Sequence, residues 1–146
     1  MNKNIITLQG ISNTGKTSTL KLLIDKIKAN YNAQTIFDGN DRIIVATIND
    51  KKLGITTCGD RRFDLENDFK RMGSCDLYVC ASRTKGSTIS FLKYETTNGM
   101  LITHGKWYFE AQNYNVIISS VRNSFNEMQA NIIYDEIVDI LKQPTF

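Results

Sequence analysis

The 146-residue sequence is poor in several residue types that define special classes of protein. Its three cysteines, Cys58, Cys75 and Cys80, form no C-x-x-C pair. We therefore expect reduced thiols, and we expect neither a zinc site nor a redox pair. There is one histidine, one tryptophan and one proline, Pro144. The near absence of proline and of low-complexity tracts argues against a linker-rich or disordered chain.

Long apolar runs are also lacking. No window approaches the roughly 20 apolar residues that a membrane-spanning helix needs. Met1 to Asn4 leads directly into a short strand pattern and not into the core of a signal peptide. We therefore expect a soluble, cytoplasmic protein with no membrane partner. The formal net charge of +3 is too small to favour nucleic acid as a partner.

The length and the 41% hydrophobic content suit a single domain, residues 1–146. Segments with strand spacing alternate with segments of helical spacing, which predicts the α/β class. We expect a three-layer sandwich with a mostly parallel central sheet and an inserted β-hairpin, formed by 42–48 and 52–57. The other predicted strands are 5–8, 35–37, 77–81 and 116–118, and the predicted helices are 17–29, 63–72 and 125–141.

Residues 86–115 have no clear pattern. The pattern allows a helix over 87–94 and an edge strand at 107–109, and it decides neither. The aromatic residues of the later half, among them Trp107, are explained by core packing, and stacking on a nucleoside is the alternative.

The segment Gly10-Ile11-Ser12-Asn13-Thr14-Gly15-Lys16-Thr17 fits the phosphate-binding pattern G-x-x-x-x-G-K-[ST] at every fixed position. A strand pattern enters it and a helical pattern leaves it, so backbone N–H groups and the positive helix end can face phosphates. We expect Lys16 to expose its ammonium to the terminal phosphates and Thr17 to bind Mg²⁺. The predicted nucleotide-binding residues are Gly10, Ser12, Asn13, Thr14, Gly15, Lys16, Thr17 and Ser18.

Residues 5–29 resemble the P-loop NTPase superfamily through this motif. The resemblance implies a P-loop NTPase-like fold that binds ATP or GTP with Mg²⁺. Guanine-specific members carry an Asn/Thr-Lys-x-Asp segment after a late strand, and its absence here favours ATP. Small kinases of the superfamily are similar to this chain in size, and Arg83-Thr84-Lys85 resembles a short form of their arginine-bearing lid.

Basic residues follow three of the predicted strands, where ligands of open α/β sheets bind. Arg83 and Lys85 are the candidates for contact with a terminal phosphate or a second anionic small molecule, with Arg83 in a catalytic role. The alternative is a solvated loop. The remaining three, more simply read as surface charges, are Arg61, Arg62 and Arg122.

Asp60 follows a predicted strand and a glycine, and it is the first candidate for a Mg²⁺ ligand or a water-orienting carboxylate. Its alternative is the N-cap of the next helix. Asp38 is the second candidate, with a turn as its alternative. The single histidine, His104, is expected to be a bystander.

Three functions remain open at this point. The first is hydrolysis of ATP or GTP with Lys16, Asp60 and Arg83 as catalytic residues, and it is favoured slightly because no acceptor site can be named. The second is a kinase that transfers the γ-phosphoryl group to a small molecule. The third is a nucleotide-binding module without catalysis.

Overall fold

The structure is a computed structural model that describes residues 2–10, 14–107 and 115–144, and for 115–119 only the backbone. Strands and helices alternate along most of the chain. The strands are β1 (Asn4–Gln9), β2 (Asn32–Asp38), β3 (Arg42–Ile48), β4 (Lys51–Thr56), β5 (Leu77–Ser82) and β6 (Met100–Gly105). The helices are α1 (Lys16–Asn30), α2 (Arg62–Met72), α3 (Ser87–Glu95) and α4 (Asn115–Leu141).

The strands form one sheet in the order β2-β3-β4-β5-β1-β6. Strand β1 pairs in parallel with β5 and with β6, and β4 pairs in parallel with β5. Strand β3 pairs antiparallel with both of its neighbours, β2 and β4. The α/β class is therefore confirmed, and the sheet is mixed, with three parallel and two antiparallel pairings among the described strands. The carboxyl ends of β1, β4, β5 and β6 share one edge.

The predicted hairpin is formed by β3 and β4. Asn49 and Asp50 between them have φ angles of 52° and 65°, both in the left-handed region. Two left-handed residues make the tight turn whose twist suits an antiparallel pair, and Asn and Asp tolerate it better than most residues. The hairpin is not peripheral, because β4 continues the sheet through its parallel pairing with β5.

Both faces of the sheet are covered by helices. Neighbouring residues of one strand belong to different clusters, as Tyr78 and Val79 do, because successive side chains of a strand point to opposite faces. One cluster packs under α1 and α4, through residues such as Leu23 and Ile133, and the other packs under α2 and α3, through Phe69 and Leu92. This layering holds the carboxyl edge of the parallel strands in a fixed position.

The predicted strand at 116–118 is wrong, since these residues lie inside α4. A short β-branched apolar run is compatible with a helix as well as a strand, and only its place in a 27-residue helix decides. Within 86–115, the segment without a clear pattern, α3 forms where a helix over 87–94 was one of the two options. Strand β6 lies in the same segment and was not predicted. Trp107 lies just beyond β6, and residues 108–114 of that segment lie outside the described part of the chain.

Within the described ranges, no helix has both the length and the apolar character needed to cross a membrane.

Candidate phosphate site at the carboxyl edge of the sheet

The chain turns away from β1 at Gly10, directly beside the end of β5. The Gly10 N–H donates to the carbonyl oxygen of Ser82 at 3.0 Å, and the hydroxyls of Thr7 and Ser82 are 2.8 Å apart. A Cβ on Gly10 would lie 3.1 Å from Thr14 Oγ1 and 3.2 Å from Lys106 Cβ. The loop therefore starts in a crowded position that favours a residue without a side chain.

Lys16 is the first residue of α1, and its side chain returns to the end of the sheet. Its Nζ donates to the Gly10 carbonyl at 2.7 Å and to the Ser82 carbonyl at 3.2 Å. It also lies 3.3 Å from Asp60 Oδ1. The prediction that the Lys16 ammonium is exposed is wrong, because Lys16 is only 6% exposed. The cation is held between β1 and β5, where a phosphate on the loop would meet it.

Asp60 reaches Lys16 because Gly59 lets the chain pass directly against β5. A Cβ on Gly59 would lie 2.2 Å from the carbonyl oxygen of Ala81, a distance at which no side chain fits. The N-cap of α2 is Arg61, which makes no side-chain cap hydrogen bond, so Asp60 is not the cap of this helix. Its carboxylate, 59% exposed, instead joins Lys16 to the loop after β5.

Arg83 follows β5 and lies on the same edge as the phosphate loop. Its Nε is 3.6 Å from Asp60 Oδ1, and both side chains are about half exposed. Its backbone N–H donates to Thr88 Oγ1 at 3.1 Å, which fixes the loop against the start of α3. Lys85 is exposed in the same loop. A phosphate at this edge could take the place of that solvated carboxylate beside Arg83.

A small cavity of about 200 Å³ opens beside Thr17 and Asp60. Asp41 also lines it and accepts a hydrogen bond from the Thr57 hydroxyl at 2.8 Å. Burial raises the pKa of the Cys58 thiol in its wall, so that sulfur is a neutral thiol. The full lining is Thr17, Asp41, Thr57, Cys58, Gly59, Asp60, Arg61 and Asp64.

The oxygen atoms of this cavity fit a nucleotide-bound Mg²⁺. Mg²⁺ takes one or two protein oxygens and completes its shell with phosphates and waters. The Thr17 hydroxyl and the Asp60 carboxylate border one space and can supply such ligands. In the described ranges, no group of three or more His, Cys, Asp or Glu side chains could hold a metal ion. This finding excludes, in those ranges, a metal site built from protein ligands alone.

Helix α4 holds the beginning of α1. The Thr19 hydroxyl donates to Gly15 O at 2.9 Å and to Asn126 Oδ1 at 3.1 Å. Gly15 has a φ of 93°, and a Cβ there would lie 3.0 Å from the same Asn126 oxygen. Gly15 is therefore required by its backbone conformation and by the neighbouring helix.

The other predicted residues have various positions. Ser12 and Asn13 lie outside the described residues, and Ser18 is exposed on α1. Asp38 pairs with Arg42 at 3.4 Å and does not line the small cavity. His104, on β6, has Nε2 2.8 Å from Glu136 Oε1.

The expectation that three strand ends supply basic residues to one edge is partly wrong. Arg122 lies on α4, because the strand predicted before it is helical. Arg62 belongs to α2, where it pairs with Glu66 at 2.7 Å. Of the five basic residues, only Arg61 lines the small cavity, and Arg83 reaches Asp60.

Four residues at this edge escaped the sequence reasoning: Asp41, Thr57, Lys106 and Asn126. Asp41 belongs to a segment that reads as a turn, and Lys106 follows the strand that was not predicted. Asn126 is far from the loop in sequence and meets it only through packing. The one available signal was the rule that residues after parallel strands share an edge, which would have found Lys106 had β6 been recognised.

A second cavity, of about 730 Å³, lies between α2 and α3. Its wall contains the aromatic rings of Phe69, Tyr78 and Phe91. Four of its charged residues form two pairs, Lys3 with Glu95 at 3.3 Å and Arg62 with Glu66, and Lys70 also lines it.

No protein-family model, curated protein or solved structure matches this chain.

Proposed function

We propose that this chain adopts a P-loop NTPase-like fold, binds ATP or GTP with Mg²⁺ at the carboxyl edge of its sheet, and hydrolyses it. The single observation that carries the proposal is the position of Lys16. Its buried ammonium lies between the ends of β1 and β5, at the start of a helix, in contact with Gly10, Ser82 and Asp60.

The electrostatics of the start of α1 support an anionic ligand. Gly15 offers no side-chain cap to the helix, and no acidic residue lies in the first turn of α1. An uncapped helix start with a lysine beside it favours phosphate through N–H groups and charge together. Two of the three groups that contact the Lys16 ammonium are neutral carbonyls, and a phosphate is a stronger partner than a carbonyl.

The size of the small cavity favours water over a larger acceptor. About 200 Å³ accommodates a hydrated metal ion, whereas pockets for whole small molecules usually measure 300 Å³ or more. In the proposed reaction, water attacks the γ-phosphorus, the bond to the bridging β–γ oxygen breaks, and a nucleoside diphosphate and phosphate leave. Lys16 and Arg83 stabilise the charge on the transferred group, and Asp60 serves Mg²⁺ or the attacking water.

Lys16→Met tests nucleotide binding most directly, because it removes the charge and keeps most of the stem. We expect the affinity for MgATP to fall by about a hundredfold or more, since the lysine faces the phosphates. Titration calorimetry with MgATP and MgGTP measures the loss, and release of phosphate measures turnover. Lys28→Met is the matched control, because Lys28 is exposed on the same helix.

Circular dichroism and thermal melting establish whether Lys16→Met keeps its fold. A folded Lys16→Met protein with wild-type affinity would refute the nucleotide site. Wild-type protein that binds MgATP but releases no phosphate would limit the function to binding.

A further inference from the structure

The end of β6 lies beside Gly10 and Gly15, the two glycines of the phosphate-loop motif. The Lys106 N–H donates to the Gln9 carbonyl at 2.7 Å, which continues the β1–β6 pairing beyond the strand. A Cβ on Gly10 would lie 3.2 Å from Lys106 Cβ, and a Cβ on Gly15 would lie 3.5 Å from Lys106 Cε. The stem of Lys106 therefore runs from one loop glycine to the other.

This position brings a second cation to the loop. A Cβ on Gly10 would lie 3.7 Å from Lys16 Cδ, so the stems of Lys16 and Lys106 border the same glycine. Lys16 has Asp60 as an ion-pair partner, whereas no carboxylate of the described residues pairs with Lys106. Burial lowers the pKa of the Lys106 ammonium. An anion beside it would offset this loss of hydration.

Trp107 is held in place next to this lysine. Its backbone N–H donates to Gln129 Oε1 at 3.0 Å, and Gln129 Nε2 donates to the Gly105 carbonyl at 2.7 Å. Gln129 is only 2% exposed, so a buried side chain fixes the path of the chain on both sides of Lys106. The indole packs edge-on against Phe125 at 6.3 Å and is still 39% exposed. The aromatic surface of Trp107 therefore faces solvent directly after Lys106 in the sequence.

We propose that Lys106 and Trp107 form the nucleoside side of the phosphate site, where Lys106 contacts the phosphates together with Lys16 and Trp107 stacks on the base. This inference rests on the proposed function. The ligand it describes is a nucleoside triphosphate, recognised by charge at one end and by the flat face of an aromatic base at the other.

Two probes separate the two contacts: inorganic tripolyphosphate with Mg²⁺, which has no base, and MgATP. Lys106→Ala should bind both about tenfold more weakly, because both carry phosphates. Trp107→Ala should bind MgATP about tenfold more weakly and tripolyphosphate as the wild type does. Trp107→Phe should keep most of the MgATP affinity, and Lys28→Ala should bind both probes normally. Titration calorimetry measures all of these affinities.

The wild-type protein contains a single tryptophan, so its fluorescence reports on Trp107 alone. MgATP should change the emission strongly, and tripolyphosphate should change it little. Equal responses to both probes would place the base elsewhere and overturn the stacking role.

Lys106→Arg and Lys106→Met distinguish a binding role from a structural role. Lys106→Arg should retain tripolyphosphate binding, since the charge is kept. Lys106→Met should raise the melting temperature of the unliganded protein, because it removes a partly buried cation, and should shrink the rise in melting temperature caused by MgATP. A lower unliganded melting temperature together with normal tripolyphosphate binding would overturn the proposal.

Different results would contradict the proposed function and the proposed role of Lys106 and Trp107. If the wild type binds neither probe, the proposed function fails. If the wild type binds both, Lys16→Met does not, and the Lys106 and Trp107 variants bind like the wild type, only this inference fails.

Discussion

Two cavities among the described residues differ in size and in how their charges are paired. The cavity between α2 and α3 measures about 730 Å³, and the cavity beside Lys16 about 200 Å³. In the larger one, Lys3 pairs with Glu95 and Arg62 with Glu66, so two of its three cations already have a carboxylate, and Lys70 is the third. The smaller one is lined by three carboxylates, Asp41, Asp60 and Asp64, and by the cation Arg61. Its Asp60 is shared by Lys16 and Arg83, which lie beside the cavity.

The difference shows why the smaller cavity is the better candidate for chemistry. Compensated charges hold a protein together but leave little attraction for a charged ligand. Carboxylates in the smaller cavity can hold a hydrated cation, and the buried Lys16 beside them, at an uncapped helix start, attracts an anion. The thiol in the larger cavity is also inert, since burial raises the pKa of Cys75 to about 11.

The largest effect that tests this contrast is expected for Arg83→Ala. If Arg83 meets the charge that develops on the transferred phosphoryl group, its loss should lower turnover by about a hundredfold and change MgATP affinity little. Single-turnover phosphate release and calorimetry measure the two quantities. Arg71→Ala is the control, because Arg71 stacks on Phe37 at 5.6 Å, in a different part of the molecule. Normal turnover of Arg83→Ala would make Arg83 a solvated loop residue.

A smaller effect, in two opposite directions, is expected for Asp60→Asn. Removal of the carboxylate should lower Mg²⁺-dependent turnover by about tenfold, because a metal or water ligand is weakened. The same change should strengthen tripolyphosphate binding without Mg²⁺ by a few fold, since Lys16 loses a competing anion. Asp139→Asn, an exposed change on α4, is the control. Unchanged Mg²⁺-dependent turnover in Asp60→Asn would remove Asp60 from the reaction.

The smallest effect is expected in the larger cavity. Glu95→Gln breaks the pair with Lys3, in which the side chains are 27% and 17% exposed, and should lower the free energy of unfolding by about 1 kcal/mol or less. Nucleotide affinity and turnover should stay at wild-type values. Urea unfolding and calorimetry measure both. A clear loss of MgATP affinity in a folded Glu95→Gln protein would contradict the separation of the two cavities.

Most of the fold could be predicted because periodicity and turn chemistry are local. The apolar spacing of α1 and the Asn49-Asp50 turn of the hairpin need no distant partner to be read. The errors occur where local patterns are ambiguous. Residues 116–118 have the composition of a strand but belong to a helix, and β6 has no clear alternation because it lies at the edge of the sheet.

The candidate site also contains residues that could be predicted from the sequence and residues that could not. The motif selected Gly10, Lys16 and Thr17 as candidates from their spacing alone, because its pattern is local in the sequence. Asp60 and Arg83 were predicted from a general rule about strand ends, and they do lie within ion-pair distance of each other. No rule of spacing could connect Asn126 with Thr19, since the two residues are 107 positions apart and meet only through the packing of α4 against α1.

The sequence by itself therefore determined the α/β class, the phosphate-loop motif and which strand ends carry charge, because these properties depend on neighbours along the chain. Only the tertiary structure decided that Lys16 is buried between two strand ends, that Gly59 brings Asp60 to it, and that Lys106 lies beside Gly10 and Gly15. The reason is physical. The order of strands in a sheet sets which strand ends are adjacent, and that order follows from packing over the whole domain and not from any one segment.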